Sequence, residues 1–428
     1  MTTIPQVCDV LQEVLSAEAQ RQGVASHWQR RRGKLDGATF VQTLVFGWME
    51  HPHASLTQLT RMAATLGVSV TGPALSQRFN QAGSDLLKGV LEMALGQMVA
   101  ADPVAIPLLQ RFVGGVYVLD STVIALPTGY AWQGCGGSGP ACAVKVQVAW
   151  DLLTGCLASG ELLDGRTHDA KTATQQVVWP AGSLRIADIG YLSRASLQTL
   201  TTAGVLAVTR LKAGTAVSNR AGQRLDVAAC LRQATGVLDV PIRIYGLECR
   251  LIALPVTPEV AAKRRRVLHD TAQRKQQRIS SQANDWADWT VVVTTAAPEV
   301  LSPAEVLVLL RARWQIELLF KLWKDHGKVD ETRGFAPWRM LCEVYAKLLG
   351  LLVLHWLLVV SSWHLPDRSL RQVAQAISES ARLLAFAWHR PTLLPEVIAY
   401  LGTLAYTARS RSAATTCHLL FDPSLVFA

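Results

Sequence analysis

Tyr117-Val118-Leu119-Asp120-Ser121-Thr122-Val123 decides how the rest of the chain is read, because it sets an acid inside an otherwise apolar, β-branched run. Such a run predicts a buried strand. An ionised carboxylate there is costly unless something positive offsets it, and two partners fit: a core Arg or a bound cation. A second stretch, Leu184-Arg185-Ile186-Ala187-Asp188-Ile189-Gly190-Tyr191, puts Asp188 where a short strand runs out near a Gly. Two carboxylates at strand ends can share a divalent ion.

The third acid lies in Leu310-Arg311-Ala312-Arg313-Trp314-Gln315-Ile316-Glu317-Leu318-Leu319-Phe320-Lys321-Leu322-Trp323-Lys324, within a helix predicted over residues 304–328. At about 100° per residue Arg313 falls roughly 40° from Glu317 and Lys324 about 20° from it. Arg313, Glu317, Lys321 and Lys324 therefore form one stripe, with Ile316, Leu318, Leu319, Leu322 and Trp323 over the remaining surface. A solvated face with weak helix ion pairs has this pattern. So does a carboxylate that completes a metal site, with cations beside it to hold phosphates. Mg²⁺ takes oxygen ligands, commonly a few carboxylates together with water and substrate phosphate.

Outward from these stretches, 428 residues with 50% apolar content can bury two or three cores, which argues against a disordered regulator. A net charge of +10 points to a polyanionic partner, either nucleic acid or an anionic membrane face. The eight cysteines lack the paired short spacings of a zinc site or a disulfide framework. Asp9, Glu13 and Glu18 are unlike a secretory leader, so the expectation is a cytoplasmic protein with reduced thiols. Residues 348–360 are apolar apart from Gly350 and His355 but fall short of the roughly 20 needed to span a bilayer. A buried core helix is expected there, and no membrane.

Residues 1–107 read as helices over 4–21, 37–49, 55–66 and, with breaks, 72–100, with Ser55 as an N-cap. The turn at 67–71 leading to Ser76, Gln77 and Arg78 is compatible with a helix-turn-helix reader or with a plain helical hairpin. In His27-Trp28-Gln29-Arg30-Arg31-Arg32-Gly33-Lys34 an aromatic stands beside four cations, which suits a phosphate backbone or a solvated charge run. Residues 108–204 turn to strands over 113–126, 143–152 and 155–163, then a helix over 169–178, a strand over 184–187 and a helix over 193–203. That is a mixed α/β pattern. The Gly-rich loop 134–140 lacks the Lys-Ser/Thr ending of a P-loop. Residues 205–296 read as a β-rich insertion with a basic, soluble run from Lys263 to Arg278, and 297–364 and 365–428 as helical.

Asp120-Ser-Thr, Asp188 followed by Gly190-Tyr191, and Arg313-x-x-x-Glu317 followed by Lys324 together resemble the Asp-Asp-Glu bacterial insertion-sequence transposases with a Tyr-Arg-Glu-Lys signature, of the insertion-sequence-four, hairpin-forming cut-and-paste type. The resemblance runs from about residue 113 to 334. It implies a ribonuclease-H-like catalytic core in two parts, 108–204 and 297–364, interrupted by the β-rich insertion 205–296, with an all-helical DNA-binding domain over 1–107 and a helical C-terminal region over 365–428. It further implies that Asp120, Asp188 and Glu317 are catalytic and bind two Mg²⁺ ions, with Mn²⁺ able to substitute.

By the same resemblance Arg313 and Lys324 hold phosphates, Trp289 in Trp286-Ala287-Asp288-Trp289 stacks on a flipped base, and Arg210 and Lys212 contact DNA. An aromatic packing the start of a strand, or solvated strand-edge charges, would leave the same traces. Arg30, Arg31, Arg32 and Arg78 are the expected DNA contacts of the N-terminal helices. The family's Tyr is replaced by Leu310, which cannot donate a hydrogen bond. The implied partners are terminal inverted repeats and target DNA, with at least a dimer in synapsis and a nucleoid location when bound. A transposase-derived regulator without chemistry and a structure-selective nuclease are the alternatives; three retained carboxylates speak against the first, and strand-transfer products would speak against the second.

Overall fold

The computed structural model describes residues 2–31, 33–130, 132–135, 139–274, 276, 278–279, 281–334, 336–366, 368–404 and 416–427. The N-terminal helices are α1 (Ile4–Gln12), α2 (Ala19–Ala25), α3 (Gly37–Glu50), α4 (Leu56–Thr65), α5 (Gly72–Ser76), α6 (Gln81–Leu95) and α7 (Pro107–Gln110). Then come β1 (Val116–Leu126), β2 (Cys142–Asp151), β3 (Leu157–Asp164), β4 (Leu184–Ala187), α8 (Arg194–Thr202), β5 (Leu206–Arg210), α9 (Val227–Gln233), β6 (Leu238–Ile244), β7 (Leu247–Pro255), α10 (Pro258–Arg274), α11 (Ser281–Ala287) and β8 (Trp289–Thr294). The chain continues through α12 (Pro303–Ala312), α13 (Trp314–Asp325), α14 (Pro337–Ser362), α15 (Leu370–Glu379), α16 (Ala381–Ala387), α17 (Leu393–Thr403) and α18 (Thr416–Phe421). It is a mixed α/β protein.

These elements form two compact units woven from separated stretches. The first comprises Met1–Ala105, Ser121–Thr167 and Ile316–Arg411, the second Ile106–Asp120, His168–Gln315 and Ser412–Ala428. Helices α1 to α6 thus share a unit with α14 to α17, whereas α7 belongs to the second unit and β1 contributes residues to both.

In the first unit α14 is the core. It is long and apolar enough to cross a bilayer, yet 94% of its most apolar window is buried. It is the core helix that the length of its apolar run predicts. Helices α1, α3, α6, α15 and α17 pack on it. Gly350 permits the close approach to α3: a Cβ there would come within 2.9 Å of Met49 Cγ. Ser55 caps α4 in a reciprocal box with Gln58, as the sequence pattern predicts. The sheet order in this unit is β3-β2-β1, with β2 and β3 antiparallel and β2 buried throughout.

Two charges lie deep in this apolar helix. Glu343 and Lys347 pair at 2.8 Å with side chains 1% exposed. The Lys347 ammonium also donates to the Lys328 and Glu331 carbonyls at 3.0 and 2.6 Å, and the Arg333 N–H donates to Glu343 Oε2 at 3.3 Å. The pair stitches the turn after α13 to α14. Burial pushes the Lys347 pKa down despite the carboxylate beside it.

The second unit has the order β1-β4-β5-β8-β7-β6. Strands β1, β4 and β5 are parallel; β8, β7 and β6 join antiparallel. The helix expected over 169–178 is instead two 3₁₀ turns, Asp169–Lys171 and Ala173–Gln176, separated by Thr172 in an extended conformation. β-Branched Thr172, Thr174 and Val177 and the following Pro180 explain the failure to propagate. The helix expected over 304–328 ends its first segment at Arg313, and the part of the basic run from Lys263 to Arg274, expected to be merely soluble, lies in the helix α10.

Candidate active site

Register places the two aspartates. In the second unit Leu119 on β1 is opposite Ala187 on β4, and Ala187 is opposite Thr209 on β5. The residues that follow these three are Asp120, Asp188 and Arg210, at the carboxyl end of the parallel ladder: Asp188 lies just past β4, Arg210 is the last residue of β5, and Asp120 lies within β1 where its pairing with β4 stops. That end is where open α/β sheets bind ligands. Strand spacing of about 4.8 Å brings two like charges near each other, a juxtaposition that favours a cation.

Asp120 meets part of that need inside the protein. The Arg313 guanidinium donates from Nη1 to Asp120 Oδ2 at 3.2 Å, with side chains 10% and 21% exposed. The core-Arg reading of Asp120 is therefore realised, and it turns Arg313 toward the carboxylate. Asp188 stands at the N-cap of the turn Ile189–Tyr191 without making a side-chain capping bond, and no ion pair reaches it among the described residues. Its backbone is held: the Thr209 hydroxyl donates to the Asp188 carbonyl at 3.4 Å.

Arg185, which the sequence reading passed over, fixes the turn behind Asp188. It is buried in β4 and donates to Ser196 Oγ at 2.6 Å, Gln175 Oε1 at 2.8 Å and the Tyr191 carbonyl at 3.4 Å. Burial pushes its pKa down to about 10. A cation in an otherwise apolar strand was the available signal, because it must be bridged to polar groups to be tolerated.

Glu317 lies on α13, half-buried, in the part of that helix belonging to the first unit. Within that unit Lys324 donates to the Val123 carbonyl on β1 at 3.1 Å, while Lys321 faces solvent. The expected enclosure of the charged stripe by apolar packing is only partial: Trp314 is 53% and Leu318 41% exposed. Leu310 is buried, as its side chain requires. Among the described residues no group of three or more His, Cys, Asp and Glu side chains is already gathered as a metal cluster. Asp120 and Asp188 nevertheless supply hard oxygen donors of the type Mg²⁺ takes.

The other expected contacts fall in several places. Trp289 opens β8, half-buried, opposite Pro255. Arg264 of α10 holds it there, donating to the Trp289 carbonyl at 2.8 Å and to Thr290 Oγ1 at 3.0 Å, and Arg265 pairs with Asp288. Part of the basic run is thus structural. Burial and then the charge of Arg210 push the Arg264 pKa down. Arg210 and Lys212 are exposed, as are Arg30 and Arg31; Arg32 lies outside the described residues.

Trp28 is not open to a phosphate backbone as its cationic neighbours suggested. It is buried, stacks on Phe40 at 4.6 Å and donates its indole N–H to the Arg78 carbonyl at 3.1 Å. The Arg78 guanidinium sits over its ring at 5.0 Å. A large apolar ring gains more from the core than from solvent. Part of the Gly-rich loop, residues 136–138, lies outside the described residues.

Paired acids where a parallel ladder ends, followed in the chain by an acid-bearing helix, define an enzyme of DNA phosphoryl transfer once the sequence is set beside known families. The family description "Transposase DDE domain" matches residues 111–353, more than half the chain, and the chain belongs to that family. Relatives that it resembles are transposases of insertion sequences. It is 25% identical over 351 residues to the transposase for insertion sequence element IS231F of Bacillus thuringiensis subsp. israelensis, covering 75% of this chain and 73% of that one. It is 23% identical over 354 residues to the transposase for IS1151 of Clostridium perfringens, covering 77% and 75%. A putative transposase InsL for IS186A of Escherichia coli (strain K12) is 25% identical over 246 residues, 54% and 63% of the two chains. Members of this family act on DNA and generally depend on a divalent metal.

Proposed function

We propose that this chain carries out cut-and-paste transposition, with Asp120, Asp188 and Glu317 as its catalytic carboxylates and a ribonuclease-H-like core over 108–204 and 297–364. The observation that carries the reading is the Leu119–Ala187 register, which sets Asp120 and Asp188 side by side in a chain of the DDE family. The orders β3-β2-β1 and β1-β4-β5 support the core assignment. Asp120, Asp188 and Glu317 would hold two Mg²⁺ ions, or Mn²⁺, which would supply activation of an attacking oxygen and stabilisation of a leaving one in an in-line displacement.

The chain's residues orient each step. A first hydrolysis nicks the element end; the freed 3′ hydroxyl attacks the opposite strand and closes a hairpin. Hydrolysis opens that hairpin, and the 3′ end then attacks target DNA. Arg313, which pairs with Asp120, and Lys324 each hold a DNA phosphate. Trp289, whose backbone Arg264 fixes, stacks on the extruded base, and Arg210 and Lys212 line its approach. The helices of residues 1–107 recognise terminal repeats through Arg30, Arg31, Arg32 and Arg78; 205–296 form the insertion and 365–428 the C-terminal region. Two ends are synapsed by at least a dimer, in the cytoplasm and on the nucleoid.

The test is cleavage of labelled terminal-repeat DNA with Mg²⁺ or Mn²⁺ by the wild type and by Glu317→Ala. The wild type nicks and joins ends; the variant retains DNA binding and loses both reactions by at least about 10²-fold, the scale on which removal of a key electrostatic group acts. Equal cleavage by the two would remove Glu317 from the mechanism. Hydrolysis without joined products would assign a nuclease instead, and binding without cleavage by the wild type a regulator.

A further inference from the structure

The helix that carries Glu317 is pinned at its far end by residues that none of these steps uses. His326 follows Glu317 by nine residues. Its N–H still donates to the Leu322 carbonyl at 2.9 Å, so the helical path of α13 runs on to it. At about 100° and 1.5 Å per residue, His326 lies roughly half a turn round the axis from Glu317 and about 14 Å along it. There its Nε2 shares a hydrogen bond of 2.8 Å with Ser378 Oγ of α15. Glu317, His326 and Ser378 all belong to the first unit.

Ser378 is buried on α15 together with Val373, Ala374 and Ile377, and a hydroxyl in such a place needs a polar partner. The His326 ring supplies one. Apolar packing does not by itself fix that ring, which is half-buried and borders a cavity of about 20 Å³ lined also by Trp48, Met49 and Pro52. The Ser378 bond therefore sets its place. Burial, and then the charge of Arg371, push the His326 pKa down against the pull of Glu379, so the ring is neutral near pH 7 and the bond does not depend on a charge. Just beyond, Gly327 is pressed against α14, where a Cβ would come within 2.8 Å of Leu351 Cδ2, and Lys347 holds the Lys328 and Glu331 carbonyls. These contacts fix the turn on α14; the Ser378 bond fixes its bearing toward α15, and with it the rotation of α13 about its axis.

We propose that His326, held by Ser378, is a positioning residue for Glu317: the bond to α15 sets the rotation of α13 and so the direction in which the carboxylate is presented to metal. The inference rests on Glu317 being a catalytic carboxylate, as proposed above, and it makes α15 of the C-terminal region a support of the reaction centre. Loss of a support behind a metal ligand costs about 10- to 100-fold in metal affinity, and a misplacement of about 1 Å from a remote change can cost about 10²-fold in rate.

The full-length protein is titrated with Mn²⁺, binding being read from the loss of the free ion's EPR signal, and nicking of terminal-repeat DNA is followed over the same Mn²⁺ range. Ser378→Ala and His326→Leu should each weaken Mn²⁺ binding, and raise the Mn²⁺ needed for half-maximal nicking, by about tenfold at unchanged DNA affinity. His326→Gln, whose amide nitrogen can take the place of Nε2, should restore most of that loss. In a Glu317→Ala background His326→Leu should weaken Mn²⁺ no further, whereas a merely structural role would add its loss to that of Glu317→Ala. Wild-type Mn²⁺ binding by both Ser378→Ala and His326→Leu, or an equal loss in His326→Leu with and without Glu317, overturns the proposal. Should His326→Leu fail to fold, Ser378→Ala, which removes one oxygen, decides. If Glu317→Ala itself binds Mn²⁺ and nicks as the wild type does, the assignment of Glu317 falls and the positioning role with it; an inactive Glu317→Ala beside unaltered Ser378→Ala and His326→Leu removes the positioning role alone.

Discussion

Single residues in this transposase take their meaning from what they are buried against. His355 lies in the middle of α14, fully enclosed, and donates from Nε2 to the Gly155 carbonyl at 2.8 Å. Burial pushes its pKa from 6.5 down to about 4. The folded state therefore keeps the imidazole neutral, while the unfolded chain takes up a proton below about 6.5. Its stabilisation is complete above that pH and is lost as pH falls from there through about 4, on the order of 2–3 kcal/mol. Urea denaturation at several pH values, wild type against His355→Phe, should show a shallower acid loss in the variant; parallel curves would mean that this histidine is not the proton acceptor.

The residue scale is also where the sequence was least legible. Asp120 and Asp188 stood out as acids in apolar runs, and β4 falls at Leu184–Ala187 as its pattern predicts. The partner of Asp120 did not stand out, because Arg313 lies 193 residues away along the chain and helical spacing alone assigned it to a stripe beside Glu317. Trp28 misled for the same reason: adjacency to cations in sequence says nothing of the Phe40 ring that takes it inward.

At the scale of elements, α14 shows how an apolar helix tolerates charge. The Glu343–Lys347 pair is closed by backbone groups of the preceding turn, so removing one partner strands the other. Lys347→Met should cost about 3–5 kcal/mol, whereas Glu343→Leu combined with Lys347→Met should restore most of that loss. Denaturant midpoints of the two variants measure the difference; equal destabilisation would show that the pair is not coupled. Helices with a capping residue before an apolar run, such as α3 and α4, were readable from pattern, and α14 from its apolar run alone. The basic run was not read as a helix, since nothing local says that Arg264 and Arg265 fold back onto the Asp288–Thr290 stretch.

For the whole molecule, the excess positive charge sets how DNA binding responds to salt. The logarithm of affinity for duplex DNA should fall linearly with the logarithm of salt concentration. Replacing both Arg30 and Arg31 with Gln should make that slope shallower by about two and weaken binding alike for all sequences. Fluorescence anisotropy across a salt series tests this; a slope unchanged by the double substitution would take the pair out of the DNA interface.

The weaving of the first unit bears on how the protein is made. Helices α3 and α6 emerge from the ribosome long before α14, the segment that covers their apolar faces. Until Pro337–Ser362 has been synthesised those faces have no native cover, so nascent chains depend on holding factors. Chains truncated before that point should therefore expose apolar helix faces and aggregate.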